Sequence, residues 1–248
     1  MNNYIYNSFF CVTNKNQFES GLNDMLASVI PYGVYVGDNF ISLNRNLSFL
    51  SDEKLMNAAE RNLDLVTEKA TLWRIHVLLW AMRNGLQLEG DFVECACYKG
   101  NSAKVLCDTV NLGEYPEKKY YLYDLFDHNE TMPHHSLPSH SKELYDQVKK
   151  RFAEYPNVVV TQGKVPEILH DVAPQKIAFL HLDLNNAEAE LGALEILFDR
   201  MVPGAILIFD DYGWQAYRAQ KELEDPWLLE RGYHVMELPT GQGMVIKR

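Results

Sequence analysis

The stretch DFVECACYKGNS, residues 91–102, decides the fold of this chain. Residues 91–96 form a short apolar run typical of a buried strand, and residues 102–112 have the spacing of an amphipathic helix. Gly100 and small residues stand between these two segments, where a chain can turn sharply from a strand into a helix. A strand that leads into a helix in this way is the repeating unit of parallel α/β sheets.

The same alternation continues through the rest of the chain. Short apolar runs predict further strands at residues 120–123, 158–161, 177–182 and 205–209. Helical patterns lie between strands at residues 142–155 and 188–201. The tail differs, because residues 234–238 and 244–247 flank Gly241-Gln242-Gly243 as in an antiparallel hairpin. The prediction is an α/β, Rossmann-like fold with a mostly parallel seven-stranded sheet that ends in an antiparallel hairpin.

The first 85 residues have a different character. Residues 1–50 are polar and aromatic, with asparagine patches and turn signals, and they predict an irregular arm or cap. Ser51-Asp52-Glu53 predicts a helix start, and apolar residues then recur at helical spacing as far as Gly85. We therefore expect an N-terminal arm and helical cap at residues 1–85 and the main domain at residues 86–248, together forming one structural unit.

Composition restricts the class of function. The 248 residues carry a formal net charge of −11, which argues against nucleic-acid binding, since that needs a basic surface. No apolar run approaches the ~20 residues that span a bilayer, and the amino terminus lacks the pattern of a targeting signal. We expect a soluble cytoplasmic protein with a small-molecule or glycan acceptor and no membrane partner. The aromatic N-terminal arm could pack against a second copy of the chain, so formation of a homo-oligomer is left as an open alternative.

Cys95 and Cys97 stand two positions apart, a spacing that can also mark a metal site. Successive strand residues alternate between faces, so the two thiols are expected on the same side of the sheet. Cysteine is among the most buried residue types. Both residues are therefore predicted to be buried structural thiols rather than metal ligands.

Acidic residues follow four of the five predicted parallel strands, and they are Glu94, Asp124, Asp183 and the pair Asp210-Asp211. Ligands of open parallel sheets bind beyond the carboxyl ends of the strands. Carboxylates gathered there repel one another unless a hydrogen-bonding or positive group lies among them. A ribose diol, an ammonium group or a metal ion would each satisfy this requirement.

The candidates for cofactor binding lie in the first strand-to-helix turn and at the ends of the next two strands. Small residues in the turn let a ligand approach the backbone, and the helix N-terminus favours a carboxylate. Asp124 ends the second strand, where a carboxylate can bind both ribose hydroxyls. The full set is Glu94, Ala96, Gly100, Asn101, Ser102, Asp124, Gln162 and Gly163. It also fits NAD-binding folds, although the turn lacks the Gly-x-Gly-x-x-Gly pattern.

Asp183 and the pair Asp210-Asp211 end two successive strands and so predict a site for a hard divalent cation such as Mg²⁺ or Mn²⁺. The alternative is that Asp210 caps the next segment and that Asp211 is merely solvated. Residues 127–141 hold four of the eight histidines. A histidine there could act as a general base, or the segment could be only a solvent-exposed loop.

Several motifs together resemble the macrocin O-methyltransferase family, which modifies sugars in antibiotic pathways. They are DNFISLNR at 38–45, GDFVECACYKG at 90–100, YDLF at 123–126, LHLDL at 180–184 and PGAILIFDDYG at 203–213. The resemblance runs from about residue 38 to the C-terminus and implies the class I methyltransferase fold. It departs from the family at Ala96, where glycine is usual, at Asn185-Asn186-Ala187, where acidic and aromatic residues are usual, and at residues 127–141.

The resemblance implies roles for particular residues. Asp183, Asp210 and Asp211 match aspartates that bind Mg²⁺, and this metal holds vicinal sugar hydroxyls. Glu94, Ser102 and Asp124 match positions that bind S-adenosylmethionine. The catalytic base would be His134, His135 or His140, and Asp183 could itself accept the proton.

These observations lead to one main expectation and two alternatives. The main one is an S-adenosylmethionine-dependent, metal-assisted O-methyltransferase that acts on a sugar or another polyhydroxylated molecule. The first alternative is a non-catalytic S-adenosylmethionine-binding protein, which the substitution at Asn185 keeps open. The second is an NAD-dependent oxidoreductase, which the missing glycine pattern disfavours.

Overall fold

A computed structural model describes residues 3–128 and 136–248. The chain begins with β1 (Tyr4–Ile5), α1 (Lys15–Ser28), β2 (Tyr35–Gly37) and β3 (Phe40–Ser42), followed by α2 (Glu53–Asn62), α3 (Val66–Ala70) and α4 (Leu72–Gly85). The next elements are β4 (Asp91–Cys95), α5 (Asn101–Val110), β5 (Tyr120–Asp124), α6 (Leu144–Arg151), β6 (Val158–Gln162) and α7 (Leu169–Val172). The last are β7 (Ile177–Leu182), α8 (Ala187–Leu197), β8 (Met201–Phe209), α9 (Arg218–Glu230), β9 (Met236–Glu237) and β10 (Gly243–Ile246).

The main sheet has seven strands in the order β6-β5-β4-β7-β8-β10-β9. The first five run parallel, whereas β10 pairs antiparallel with both β8 and β9. Every residue of β7 is buried, as expected for a central parallel strand covered on both faces. The predicted fold class is confirmed, including the terminal hairpin.

Some predicted boundaries were wrong for identifiable reasons. The strand β8 begins at Met201 rather than at 205, because Pro203 and Gly204 interrupt the apolar run while the backbone stays extended through a register irregularity beside β7. The helix α6 is shorter than predicted and ends at Arg151. The segment that starts at Asp52 is three helices rather than one, although Asp52 does cap α2 by accepting a hydrogen bond from the Leu55 N–H at 3.2 Å.

The N-terminal region is more regular than the irregular arm that we expected. Its three short strands form a separate sheet, and Asn14 caps the helix α1 by accepting a bond from the Gln17 N–H at 3.1 Å. Asparagine is a preferred helix cap, so asparagine patches do not by themselves indicate irregular structure. The short sheet packs on the helices that follow it, since the Tyr35 hydroxyl donates to the carbonyl oxygen of Ala70 in α3 at 2.7 Å.

Cys95, Cys97 and Cys107 are buried free thiols, and Cys11 is an exposed one. The prediction that Cys95 and Cys97 share a face was wrong. Cys95 packs in the apolar core on the α8 side of the sheet, and Cys97 packs in the core on the α4 side. The strand ends at Cys95, and Ala96 takes a φ of +69° that turns the chain, so strand alternation no longer applies at Cys97.

A buried acidic pair lies between α8 and α9. The Glu190 side chain comes from α8 and that of Glu224 from α9, and the residues are 1% and 0% exposed. Neither carboxylate oxygen of Glu224 has a hydrogen-bond partner among the described residues, whereas the Gln220 amide donates to Glu190. Burial and the mutual repulsion of the two carboxylates raise the pKa of Glu190, and burial raises the pKa of Glu224 to about 8. The pair therefore retains a proton near neutral pH.

None of the helices among the described residues is long and apolar enough to cross a membrane.

Candidate functional site

Two adjoining cavities open at the carboxyl ends of β4, β5 and β7. The larger has a volume of about 510 Å³ and the smaller about 250 Å³. Ala96, Tyr98 and Asp183 line both of them. This is the edge of a parallel sheet at which ligands bind, and the larger cavity alone has the size of a small-molecule site.

The larger cavity combines one buried carboxylate with mainly apolar walls. Asp124 lies at the end of β5 and is 8% exposed. One of its oxygens accepts a hydrogen bond from the Tyr98 N–H and the other from the Phe126 N–H, each at 2.6 Å. These two bonds fix the carboxylate and leave lone pairs for hydroxyl donors. The opposite walls are formed by Leu125, Leu137, Gly163, Val165 and Pro166.

The turn after β4 has an unusual backbone, because Ala96, Tyr98 and Gly100 all have positive φ, at 69°, 49° and 69°. Only glycine adopts such angles without strain, so Ala96 is held by its surroundings. A Cβ at Gly100 would lie 2.8 Å from the Phe152 ring. The turn therefore aims the Tyr98 N–H at Asp124, while Gly100 serves the packing of α6 and does not line either cavity.

The smaller cavity is more polar and lies at the N-terminus of α5. Asn101 and Ser102 line it from the first turn of this helix, where free backbone N–H groups favour a carboxylate. Glu94 lines it from β4 and accepts a hydrogen bond from the buried Tyr120 hydroxyl. Lys99 pairs with Glu68 at the opposite side of the same cavity.

His181 lies between two carboxylates and was missed by sequence reasoning as a site residue. It is paired with Glu94 across β4 and β7, with its Nδ1 at 3.7 Å from Glu94 Oε1 and its Nε2 at 3.4 Å from Asp210 Oδ1. Burial lowers the pKa of His181, but the charges of Asp210 and Glu94 raise it well above its usual value. The two carboxylates therefore favour the protonated form of the imidazole.

Two of the three predicted aspartates lie close together, beside a histidine that was not predicted. Donor atoms of His181, Asp183 and Asp210 lie within 4.8 Å of one another. Asp211 lies beside them, with its Oδ1 at 3.6 Å from the Nη1 of Arg74. The same Arg74 nitrogen donates to Asp210 Oδ2. The positive groups among the carboxylates are thus Arg74 from α4 and His181.

Asp210 does not cap the following segment, which was the alternative to a metal role. Its Oδ1 accepts a hydrogen bond at 2.9 Å from the Nε2 of Gln242, which is fully buried in the hairpin turn. Arg74 holds its other oxygen and also donates from Nε to Asp38 Oδ2 at 2.7 Å. Asp38 belongs to the turn between β2 and β3, so the N-terminal region contributes directly to the cluster.

The three aspartates differ in electrostatic environment. Burial raises the pKa of Asp210, but Arg74 and His181 outweigh it and hold the pKa below its usual value. Burial and the charges of Asp210 and Asp211 raise the pKa of Asp183 well above its usual value. Burial and the charge of Asp210 raise the pKa of Asp211 to about 7. Asp183 and Asp211 are therefore the two carboxylates that lack an adequate counter-charge.

This donor set fits a hard divalent cation. The cluster is rich in oxygen donors, and its carboxylates Asp38, Asp183, Asp210 and Asp211 face only Arg74 and His181 as cations among the described residues. Mg²⁺ and Mn²⁺ prefer oxygen ligands and would supply the missing positive charge. The residues that would hold such an ion are Asp183, Asp210 and Asp211, and this assignment stays a prediction.

Of the histidines predicted as a base, His140 lies in the wall of the larger cavity. Its Nδ1 accepts a hydrogen bond from the Leu137 N–H at 3.1 Å, and its ring meets the Tyr98 ring edge to face at 5.3 Å between centroids. His134 and His135 lie outside the described residues. Asn185 also lines this cavity and donates from its side-chain amide to Asp183 Oδ1 at 3.2 Å.

The remaining predicted cofactor residues are distributed unevenly. Gly163 lines the larger cavity, whereas Gln162 is exposed and donates to the Leu125 carbonyl oxygen at 3.0 Å. Residues missed by sequence reasoning include Tyr98, which separates the cavities, and Arg74. The only signal for Arg74 was a charged residue inside the apolar pattern of α4.

Comparison with known proteins agrees with this geometry. Residues 93–212 match a family model described as a methyltransferase domain. The O-methyltransferase NovP has a similar structure, with a TM-score of 0.61 and 14% identity over 72% of this chain and 81% of that chain. For CalS11, a calicheamicin methyltransferase, the TM-score is 0.57 and the sequence identity is 15%, over 82% of this chain and 94% of that chain. No curated protein matches by sequence.

A third similar structure contains a bound ligand. It is that of the Podospora anserina methyltransferase PaMTH1 bound to S-adenosylhomocysteine, with a TM-score of 0.55 and 11% identity over 97% of this chain and 99% of that chain. At such low identities these likenesses establish the fold, which is the predicted class I methyltransferase fold. The family match over residues 93–212 and this fold agree with the predicted S-adenosylmethionine-dependent methyltransferase.

Proposed function

We propose that this chain is an S-adenosylmethionine-dependent O-methyltransferase of the macrocin type, assisted by a divalent metal. Its acceptor would be a hydroxyl of a sugar or another polyhydroxylated small molecule, with a vicinal diol favoured. The observation that carries the proposal is that a cavity suited to a nucleoside adjoins a buried acidic cluster and that Asp183 belongs to both.

The cofactor half of the proposal rests on Asp124 and on the N-terminus of α5. Asp124 is held by two backbone N–H groups and faces a cavity with apolar walls, which suits a ribose diol next to a purine. The first turn of α5 and Ser102 suit the carboxylate of the methionyl group, and Glu94 suits its ammonium. S-adenosylmethionine supplies the electrophilic methyl group, so the protein has to align the acceptor oxygen with it.

The acceptor half rests on the charges around Asp183. A divalent cation bound at the aspartates would supply Lewis acidity that makes a hydroxyl easier to deprotonate. Asp183 lines both cavities, a position from which its carboxylate could accept a proton from the acceptor hydroxyl. Asn185 cannot do so, because an amide has no basic oxygen at this pH. CalS11 is also described as a TDP-rhamnose 3'-O-methyltransferase, which supports a sugar acceptor.

The absence of a carboxylate at Asn185 favours one alternative, a protein that binds S-adenosylmethionine without turnover. Transfer of a labelled methyl group to any member of a panel of nucleotide sugars and free glycosides would exclude this alternative.

The test is a paired measurement on Asp211→Asn, with Asp199→Asn as the control because the Asp199 side chain is 83% exposed. Calorimetry should show S-adenosylhomocysteine affinity within about threefold of wild type in both variants, since a contact remote from the ligand contributes less than ~1 kcal/mol. Methyl transfer in the presence of Mg²⁺ should fall at least ~100-fold in Asp211→Asn only. Full transfer by metal-stripped wild type in excess EDTA would contradict the metal role. Tight binding of NAD in place of S-adenosylhomocysteine would contradict the proposal as a whole.

A further inference from the structure

Arg74 is the centre of the buried cluster rather than a residue at its edge. Its guanidinium reaches from α4 to Asp38, Asp210 and Asp211, and it lies over the Trp214 ring at 5.1 Å from the centroid. Only 13% of its side chain is exposed. In residues 3–128 and 136–248, no other lysine or arginine forms an ion pair with these three aspartates.

The guanidinium occupies carboxylate oxygens that a metal ion would need. Asp210 has its Oδ1 on Gln242 and its Oδ2 on Arg74, so both oxygens already have a donor. Asp211 is held more loosely, at 3.6 Å from the same Arg74 nitrogen. Each of these oxygens keeps a lone pair that a metal ion could use. A cation bound to Asp210 and Asp211 would nevertheless lie a few ångströms from the buried guanidinium, so the two positive charges would repel each other and compete for the carboxylates.

Arg74 has a second carboxylate to which it can stay attached. Its Nε and Nη2 both face Asp38, at 2.7 Å and 3.5 Å from the two oxygens of that residue. The bond to Asp38 uses different nitrogens from those that hold Asp210 and Asp211. Loss of the Nη1 contacts would thus leave the guanidinium paired with the N-terminal region.

We propose that Arg74 is a positioning residue that competes with the divalent cation for Asp210 and Asp211. Without metal, Arg74 partly balances the charge of Asp210 and Asp211 and holds the end of β8 close to Asp38. With metal bound, Arg74 is retained by Asp38 alone. Arg74 thereby lowers the affinity of the site for the metal. It also links metal binding to the ion pair between Asp38 and Arg74, which joins the N-terminal region to α4. This inference rests on the metal site of the proposed function.

The test is Mn²⁺ binding, followed by electron paramagnetic resonance, in wild type, Arg74→Met and Arg83→Met. Methionine keeps much of the length of the side chain and removes its charge. Arg83 lies on the same helix and pairs with Asp52 at the surface, so Arg83→Met controls for the loss of a positive charge from α4. Arg74→Met should bind Mn²⁺ at least ~100-fold more tightly than wild type, because a buried like charge a few ångströms away is removed. Arg83→Met should bind as wild type does.

Arg74→Met could fail to fold, and loss of S-adenosylhomocysteine binding in calorimetry would reveal this. A further variant then tests the inference. Arg74→Lys keeps the charge, but its single ammonium cannot bridge Asp38 and Asp210 with separate nitrogens, so Mn²⁺ affinity should rise about tenfold. Equal or weaker Mn²⁺ binding by the folded Arg74 variants, with measurable binding by wild type, would overturn the inference alone. If neither wild type nor these variants bind Mn²⁺ while all bind S-adenosylhomocysteine, both the inference and the metal role fail and the cofactor role stands.

Discussion

Replacing Glu224 by glutamine should make the protein increasingly more stable than wild type as the pH rises from 5 to 8. Glu224 is fully buried beside Glu190, and burial raises its pKa to about 8 from an ordinary value of 4.5. A glutamine has nearly the same shape, stays neutral at every pH and can donate its amide hydrogen to Glu190. The variant therefore reproduces the protonated state of Glu224 under conditions in which the wild-type residue is driven to ionise.

The size of the effect follows from the two pKa values. Below pH 4.5 the group is protonated in both the folded and the unfolded chain, and its full contribution to stability is present. As the pH rises toward about 8, the unfolded chain loses this proton while the folded chain retains it, so stability falls by about 1.4 kcal/mol per pH unit. Between pH 5 and pH 8 the variant should gain up to about 4 kcal/mol over wild type. That is a large fraction of the ~5–15 kcal/mol that stabilises a typical domain.

The assay is urea denaturation, followed by circular dichroism, at several pH values across this range. The matched control is Glu222→Gln, since Glu222 lies on the same helix, is 57% exposed and pairs with Arg218. The control should change stability by less than ~0.5 kcal/mol at every pH. If the free energy of unfolding changes with pH in the same way in wild type and in Glu224→Gln, the reasoning is refuted. That result would mean that Glu224 ionises equally in the folded and unfolded chain.

Three further predictions test the site and the turn that builds it. Asp124→Ala should weaken S-adenosylhomocysteine binding by about 1–3 kcal/mol in calorimetry, and an unchanged dissociation constant would remove Asp124 from the site. Gly100→Ala should destabilise the protein by about 1–3 kcal/mol in urea, since its Cβ would lie 2.8 Å from Phe152; equal stability would show that α6 can move aside. Cys11 should be the only thiol that reacts rapidly with Ellman's reagent in the native state, because it is exposed while the other three are buried. Rapid reaction of a second thiol would contradict this burial.

The order of elements was predictable because parallel strands are buried on both faces and therefore form continuous apolar runs. The run at Ile177–Leu182 was predicted with its observed bounds, and the acidic residues that follow the strands do line the cavities or the cluster. The pattern failed where one residue type serves two purposes. Asn14 caps a helix in a region that was predicted to be irregular, and Pro203 lies within a strand.

The counter-charges of the site could not be predicted from the sequence. Arg74 stands 136 positions before Asp210 on a helix that otherwise follows an apolar pattern, and no local rule connects the two. His181 lies inside the buried run of β7, where periodicity assigns every side chain to the core. Its role depends on the register that places it beside Glu94, which only the assembled sheet defines.

The partners of Asp210 also determine when during synthesis this centre can form. Arg74 and Asp38 leave the ribosome before the first strand of the main sheet, whereas Gln242 follows β9, near the end of the sheet in chain order. Until Gln242 has emerged, Asp210 lacks one of its two hydrogen-bond donors, and β8 has no neighbour on its outer side. A nascent chain would thus carry a buried carboxylate oxygen of Asp210 that is not yet bonded to Gln242, beside an open sheet edge. The last hairpin completes the centre and covers that edge in a single step.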